Sequence, residues 1–192
     1  MYQSIIADYR SSKSFSKLNN FINKTIENDL SDNGTFWILC KNSIKKKEMI
    51  FNAFNISESF NKYYLKNIIL FQSDNILRKN IYFRDHFDHI LFFSKKDNFF
   101  LNKDPIREKH IWKNVEWGKR AKNYNPKGKD PGNFWMKTED DGKANITKHL
   151  PLNFNQSIER IIKCSSIKNQ NICIVNIPIG ESFERNLFNE SI

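Results

Sequence analysis

Four short apolar runs, each bounded by polar residues, restrict the fold of this chain more than any other feature of its sequence. The runs lie within TFWILC at 35–40, KNIILFQSD at 66–74, DHILFFSKK at 88–96 and NICIVNIP at 171–178. Each is far shorter than the roughly 18 apolar residues that can cross a membrane. Short uninterrupted apolar runs are typical of strands buried on both faces, as in a parallel sheet.

Three further segments repeat apolar residues every three or four positions, as amphipathic helices do. The segments and their apolar faces are 15–30 (Leu18, Phe21, Ile22, Ile26, Leu30), 45–60 (Met49, Ile50, Ala53, Phe54) and 151–166 (Phe154, Ile158, Ile161, Ile162). SDNG at 31–34 predicts a turn, and Pro151 predicts the start of the last helix. Helices that alternate with buried strands predict one α/β domain over 1–192, with a mainly parallel sheet.

The three cysteines, Cys40, Cys164 and Cys173, lack the paired spacing of a metal site or a disulfide framework. The first residues, MYQSIIADYRSSK, lack the apolar core of a signal peptide. We therefore expect a reducing, cytoplasmic setting, with neither a bound metal nor a membrane partner.

The charge of the chain favours a polyanionic partner. Lys and Arg number 31 against 21 Asp and Glu, which gives a formal net charge of +10, and such an excess is typical of nucleic-acid-binding proteins. The alternative is compositional. The abundant Lys, Asn, Ile and Phe all have A/T-rich codons, so a genome low in G and C would raise the Lys content without any role in binding.

Residues 100–148 interrupt the alternation of helices and strands. Apolar periodicity fades there, and 12 basic residues stand against 7 acidic ones between Lys103 and Lys148. Within this region lies YNPKGKDPGNFW at 124–135, which combines two prolines and two glycines with aromatic and charged residues. So long a stretch without clear elements predicts a functional insertion rather than a structural loop.

The order of the segments resembles the DNA amino-methyltransferases, which modify the exocyclic nitrogen of adenine or cytosine. The segments that carry the resemblance are NGTFWILC, DHILFFSKK with FFLNKDPIREKH, YNPKGKDPGNFW, and KHLPLNFNQSIERIIKCSS. The resemblance is to the subgroup with the catalytic half first, the recognition region next and the cofactor strand last. It implies a Rossmann-like methyltransferase domain, S-adenosylmethionine as cofactor, and double-stranded DNA as substrate, as in restriction–modification systems.

The recognition region of that family matches the middle of this chain. The matching residues are Tyr124, Asn125, Gly128, Lys129, Pro131, Asn133 and Trp135, followed by Lys148, His149, Pro151 and Phe154. The resemblance implies that 100–148 reads DNA. The residues expected to contact DNA are Trp117, Lys119, Arg120, Lys122, Tyr124, Lys127, Lys129 and Trp135. Aromatic residues interleaved with basic ones suit stacking and phosphate contact; a solvated basic loop is the alternative.

The catalytic motif of the family is an Asp, Asn or Ser followed by Pro-Pro and an aromatic residue, at the end of a strand. Its polar group accepts a hydrogen bond from the target amine, and its ring stacks on the flipped base. By position it corresponds here to Ala7-Asp8-Tyr9-Arg10. The resemblance therefore implies Asp8 as the acceptor and Tyr9 as the stacking ring. Both prolines that aim these groups are absent.

The cofactor motif of the family is a glycine-rich loop after the last strand, where VNIPIGESFE stands at 175–184. The resemblance implies cofactor contacts by Asn176, Gly180 and Ser182. Asn176 replaces an aspartate, and Ser182 replaces the second glycine of the motif, where a Cβ would obstruct the methionine end of the cofactor.

These departures leave the hypotheses open. The chain is expected to be a site-specific DNA methyltransferase that uses S-adenosylmethionine, or a degenerate or truncated relative that has lost its catalytic and cofactor motifs. The alternative is a DNA-binding module without chemistry, or a partner of a second, active methyltransferase chain. A decaying gene product without a selected role is the third hypothesis.

Overall fold

The computed structural model describes residues 1–12, 15–46, 48–77, 85–110, 122, 124–141, 145–167 and 169–177. The elements in these ranges, in chain order, are β1 (Tyr2–Asp8), α1 (Phe15–Asn28), β2 (Leu30–Cys40), β3 (Ser43–Lys45), β4 (Glu48–Ile50), α2 (Asn52–Glu58), β5 (Tyr64–Leu77), β6 (Asp85–Ser94), a 3₁₀ helix (Asp104–Ile106), β7 (Met136–Asp140), β8 (Ile146–Pro151), α3 (Phe154–Ser165) and β9 (Ile172–Val175). None of the helices in the described part of the chain is long and apolar enough to cross a membrane.

A five-stranded sheet in the order β5-β6-β2-β1-β9 forms the centre of the fold. Strand β1 is parallel to both of its neighbours, β2 and β9. Strand β6 is antiparallel to β2 and to β5. Two hairpins, β3–β4 and β7–β8, form separate two-stranded sheets. The expected α/β architecture is present, with the parallel pairs around β1 and an antiparallel pair extending one side.

The two long helices cover opposite faces of the sheet. Helix α1 buries Ile22 and Ile26 against one face, which we call the α1 face. Helix α3 buries Ile158 and Ile161 against the other, the α3 face. Helix α1 follows β1 and helix α3 precedes β9, so the chain changes face between these two parallel strands. In α/β sheets such a change of side opens a crevice at the carboxyl ends of the strands, where ligands bind.

Alternating side chains of β2 build both cores. Phe36 stacks on Phe93 at a ring-centroid distance of 4.7 Å on the α1 face. Its neighbour Trp37 stacks on Phe92 at 4.0 Å on the α3 face. Successive residues of a strand point to opposite faces, so one apolar run supplies both layers. This is the structural basis of the runs without polar alternation in the sequence.

Three local predictions were wrong. Residues 31–34 are not a turn but an irregularity inside β2, opposite the single residue Gln3 of β1. Residues 45–51 are not helical, because β3 and β4 pair there and helix α2 begins only at Asn52. Helix α3 begins after Asn153, whose side chain accepts a hydrogen bond from the Gln156 amide in a capping box, while Pro151 ends β8.

Candidate functional site

Strands β1 and β9 are parallel neighbours, so their carboxyl ends lie next to each other at the same end of the sheet. Ala7 of β1 pairs with Val175 of β9. The next two residues, Asp8 at the end of β1 and Asn176 just after β9, therefore lie side by side. Ile6 lies in the α3-face core and Ala7 in the α1-face core, so the alternation continues with Asp8 on the α3 face and Tyr9 on the α1 face. The crevice of the fold therefore contains the residue that the sequence predicts as the acceptor.

The Asp8 carboxylate is held by Arg10. The Arg10 side chain donates to both Asp8 oxygens, from Nε to Oδ1 at 3.0 Å and from Nη2 to Oδ2 at 3.1 Å. The Arg10 backbone amide also donates to Oδ1, at 2.9 Å. This two-pronged contact is the strongest geometry that a guanidinium and a carboxylate can form. The side chains of Arg10 and Asp8 are only 14% and 7% exposed.

Arg10 also contacts a second carboxylate and an aromatic ring. Its Nη1 donates to Oδ2 of Asp88 at 3.4 Å, and its guanidinium lies over the Phe154 ring, 3.8 Å from the centroid. Burial raises the pKa of Asp88, and a hydrogen bond from Ser73 and the charge of Arg10 oppose that rise. The edge of the sheet thus holds two buried carboxylates around one planar cation that lies against an aromatic ring.

Tyr9 lies inside the core on the α1 face. The residue is 1% exposed, and its ring packs on Phe15 at 5.8 Å. Burial raises the pKa of the Tyr9 hydroxyl, which has no hydrogen-bond partner among the described residues. To stack on a base beside Asp8, Tyr9 would have to leave the core and pass to the other face.

The predicted cofactor residues fall only partly within the described chain. Asn176 is exposed directly after β9 and has a φ of 61°, the left-handed conformation that asparagine adopts more readily than most residues. Gly180 and Ser182 lie outside the described residues. The chain therefore leaves β9 through a residue in the left-handed conformation.

The segment 124–135, which we call the recognition segment, is held at two places, first by Glu108 just after the 3₁₀ helix and then by strand β5. Lys129 and Glu108 exchange backbone hydrogen bonds of 2.7 and 3.0 Å. Farther along, Asn133 and Trp135 bond through their backbones to both polar groups of Leu70, at 2.8 and 3.0 Å. Since β5 is the edge strand, the segment continues the sheet there. A loop held in this way presents its side chains on a fixed backbone.

Gly128 gives a direct test of the first attachment. Its φ is 113°, and a Cβ at this position would lie 2.5 Å from the Glu108 carbonyl oxygen. Gly128→Ala should lower the free energy of unfolding by about 2–4 kcal/mol through backbone strain and the loss of two hydrogen bonds. Gly132→Ala is the control, because φ is 68° but a Cβ would meet nothing within 4 Å; strain alone predicts about 1–2 kcal/mol. Urea unfolding would measure both, and equal losses would contradict the role of the Glu108 contact.

The structure separates the residues expected to contact DNA into different groups. Lys122, Lys127 and Lys129 are exposed, although Lys127 forms an ion pair with Asp104. Tyr124 is half-buried beside the His110 ring, at 4.6 Å. Trp117, Lys119 and Arg120 lie outside the described residues. The exposed lysines remain available to phosphates at the cost of one weak surface pair.

Trp135 is placed differently from those residues. It is 2% exposed within the α3-face core, and the Arg160 guanidinium lies 5.4 Å from the centroid of its ring. In this position the indole packs against the sheet and has no surface to offer to DNA. The indole holds this part of the segment against the sheet.

Sequence reasoning missed Arg10, Asp88 and the role of Phe154 at the crevice. An arginine two residues after an aspartate at the end of a strand is a signal for a local ion pair, and it was present at 8–10. Asp88 gives no such signal, because only the pairing of β6 with β2 and β5 brings it to this edge.

Comparison with proteins of known family and structure gives a consistent result. A family model described as DNA methylase matches residues 2–173. Comparison with curated protein sequences gave no match. The chain is similar in structure to PvuII DNA methyltransferase (cytosine-N4-specific), with a TM-score of 0.54 and 9% identity over 90% of this chain and 66% of that one. It is also similar to the crystal structure of M1.HpyAVI, with a TM-score of 0.51 and 14% identity over 97% of this chain and 85% of that one.

These structural matches confirm the methyltransferase-like α/β fold expected from the sequence. The chain spans 66% of the length of the PvuII enzyme. The family match begins with β1 and ends inside β9, and it includes Asp8 and the recognition segment. The resemblance inferred from the order of motifs is therefore confirmed, and this chain belongs to the N6/N4 DNA methylase family.

Proposed function

We propose that this chain transfers a methyl group from S-adenosylmethionine to the exocyclic amine of adenine or cytosine in double-stranded DNA. The observation that carries the proposal is the position of Asp8, at the carboxyl end of β1 and beside the end of β9 in the crevice of the sheet. A carboxylate here can accept a hydrogen bond from an amine that enters the crevice. Membership of the DNA methylase family supplies the substrate class.

The residues of the crevice suit the orientation of a nucleophile. Bound S-adenosylmethionine would supply a methyl group on a positively charged sulfur. Asp8 would accept an N–H of the target amine, which directs the nitrogen lone pair away from the carboxylate, and Asp88 would add negative charge nearby. Phe154 offers a ring face on the same side. Orientation of this kind is a large part of the catalysis of group transfer between bound partners.

The residues present fit the cofactor in part. The left-handed turn at Asn176 ends β9 at the crevice, as a loop that approaches a ligand closely requires. Contacts of Gly180 and Ser182 with the cofactor remain predictions from the family resemblance. The exposed Lys127 and Lys129 on the recognition segment would contact DNA phosphates.

Transfer of radiolabelled methyl groups from S-adenosylmethionine to unmethylated duplex DNA tests the proposal. Wild type should incorporate label, and Asp8→Ala should reduce the rate by about 100- to 1,000-fold, as removal of one positioned hydrogen-bonding group does in other enzymes. Asp97→Asn is the control, because Asp97 is exposed and pairs only with Lys66 among the described residues. Absence of incorporation across DNA of varied sequence would remove the proposal.

A second candidate is a DNA-binding module without methyl transfer, acting alone or beside an active methyltransferase chain. The engagement of both Asp8 oxygens by Arg10 and the burial of Tyr9 favour it. It predicts duplex binding that is unchanged by Asp8→Ala. Lys127→Ala together with Lys129→Ala should flatten the dependence of log K on log salt by about 1 to 2 units. If wild type did not bind duplex DNA at low salt, this candidate would be contradicted.

A further inference from the structure

We propose that Arg10 is an internal substitute for the target base, and that its guanidinium occupies the site where the amine-bearing base must bind. The proposal rests on the proposed function for the identity of the base. Three observations support it: the donors that Arg10 directs at Asp8, the aromatic ring against which it lies, and the enclosure of the site.

Arg10 shares a planar shape and an N–H donor with an amino base. A guanidinium is a planar N–C–N group with N–H donors along its edge. Adenine and cytosine have a planar N–C–N unit of the same shape, in which the exocyclic amine donates and the ring nitrogen accepts. In the structure this edge of Arg10 faces Asp8, through hydrogen bonds of 3.0 and 3.1 Å. One of these N–H donors stands where the target amine would donate, so the carboxylate that would accept the amine is already engaged.

The aromatic contact repeats the stacking that a base would make. The guanidinium carbon lies 3.8 Å from the centroid of Phe154, which is a stacking distance, and 5.8 Å from that of Phe71. A flipped base is read by its polar edge while its face stacks on apolar or aromatic side chains. Phe154, on the same side of the sheet as Asp8, is placed to take the role that the sequence assigned to Tyr9.

The guanidinium is enclosed. Asp88 accepts from Arg10 Nη1 at 3.4 Å, and the Arg10 side chain is only 14% exposed. A base could reach Asp8 only after Arg10 had moved out. Arg10 would then determine how strongly this chain binds an extrahelical base, since every base must displace it.

A second buried arginine shows how a purely structural pair differs. Arg160 directs Nη1 and Nη2 at the same oxygen of Glu108, each at 3.5 Å. Its guanidinium lies 5.4 Å from the Trp135 centroid, too far for stacking. Arg160 and Glu108 are as buried as Arg10, yet they lack the edge-on and face-on geometry of a bound base. This pair is therefore the matched control.

The test measures binding of small ligands without cofactor or DNA. The variant Arg10→Ala/Asp88→Asn removes the guanidinium and one carboxylate, and leaves Asp8 as the acceptor. The control variant is Arg160→Ala/Glu108→Gln. The probes are 9-methyladenine, 1-methylcytosine and ethylguanidinium, with 1-methylthymine as a base that lacks an exocyclic amine. Saturation-transfer NMR and calorimetry would give the affinities.

We expect the Arg10 variant to bind the three amine-bearing probes at least tenfold more tightly than wild type, with no gain for 1-methylthymine. The control variant should show no gain for any probe. The proposal would be overturned if wild type bound the amine-bearing probes as tightly as the Arg10 variant does. It would also be overturned if the variant gained as much affinity for 1-methylthymine as for the amine-bearing probes. If the double variant fails to fold, Arg10→Lys replaces it, because lysine keeps the charge and lacks the planar N–C–N edge. An affinity of Arg10→Lys for the amine-bearing probes less than twofold above that of wild type would then overturn the proposal.

The outcome is separable from that of the proposed function. If the Arg10 variant gains affinity for the probes and wild type incorporates no methyl groups, the role of Arg10 is supported and the proposed methyl transfer is contradicted. If wild type incorporates methyl groups and the variant gains no affinity for the probes, the proposed methyl transfer is supported and the proposed role of Arg10 is contradicted.

Discussion

Replacement of Trp135 by alanine is expected to lower the free energy of unfolding by about 3–5 kcal/mol, as removal of a fully buried large aromatic side chain does. The indole is enclosed by the α3-face core, and the Trp135 backbone amide donates to Leu70 of the edge strand. The substitution should therefore also loosen the recognition segment. Urea unfolding followed by circular dichroism would measure the loss, because the three other tryptophans complicate fluorescence.

Phe134→Ala is the matched control for this prediction. Phe134 is the preceding residue, is 37% exposed and packs edge-on with the Phe87 ring, at 5.1 Å. We expect a loss of about 1 kcal/mol, near the value of one aromatic pair. If Trp135→Ala left stability unchanged while it weakened duplex binding, the indole would be the DNA contact that the sequence predicts, and its place in the core would be contradicted.

Replacement of Arg10 by methionine is expected to cost about 3–5 kcal/mol at neutral pH, because it leaves two buried carboxylates without their cation. Methionine keeps most of the side-chain volume over Phe154, so the loss reports charge rather than a cavity. Thermal and urea unfolding at pH 7 would measure it. Lys66→Met is the control: Lys66 pairs with Asp97, which is largely exposed, and such pairs contribute less than about 1 kcal/mol.

The cost of Arg10→Met should shrink as the pH falls. Burial already raises the pKa of Asp88 in wild type against the opposing charge of Arg10, so removal of Arg10 raises it further. A carboxyl whose pKa is higher in the folded than in the unfolded state binds more protons when folded. Its penalty is thus complete above the folded pKa and disappears as the pH falls toward the unfolded value of about 3.9. A cost that was equal at pH 7 and pH 4.5 would contradict this account.

Strands β2, β5, β6 and β9 were predictable because their chemistry is local. The runs around Phe36, Ile69 and Phe92 are apolar on both sides of the backbone, and only a strand between two layers buries both. Helices α1 and α3 followed from regular spacing in the same way. Residues 45–51 were misassigned because Met49 and Ile50 fit a helical face, while the pairing of β3 with β4 depends on partners that the spacing does not reveal.

Of the residues around Arg10 in the candidate site, only Asp8 was predictable from the sequence. Asp8 follows a strand and could be placed by its order in the chain, but its neighbours Asp88 and Phe154 are about 80 and 146 residues away in sequence. Tyr9 looked suitable because it is aromatic and next to Asp8. Alternation along β1 sends it to the opposite face, and that alternation outweighs proximity in the sequence.

Attachment of the recognition segment to β5 also affects solubility. Edge strands with free backbone groups are templates for the pairing of one protein molecule with another. Here Asn133 and Trp135 engage Leu70, and the carbonyl of Leu152 accepts from Gln72, so two residues of that edge are already bonded. A substitution that detaches the segment from Leu70 would expose the backbone groups of this strand. The attachment of the segment therefore limits aggregation as well as fixing the position of the segment.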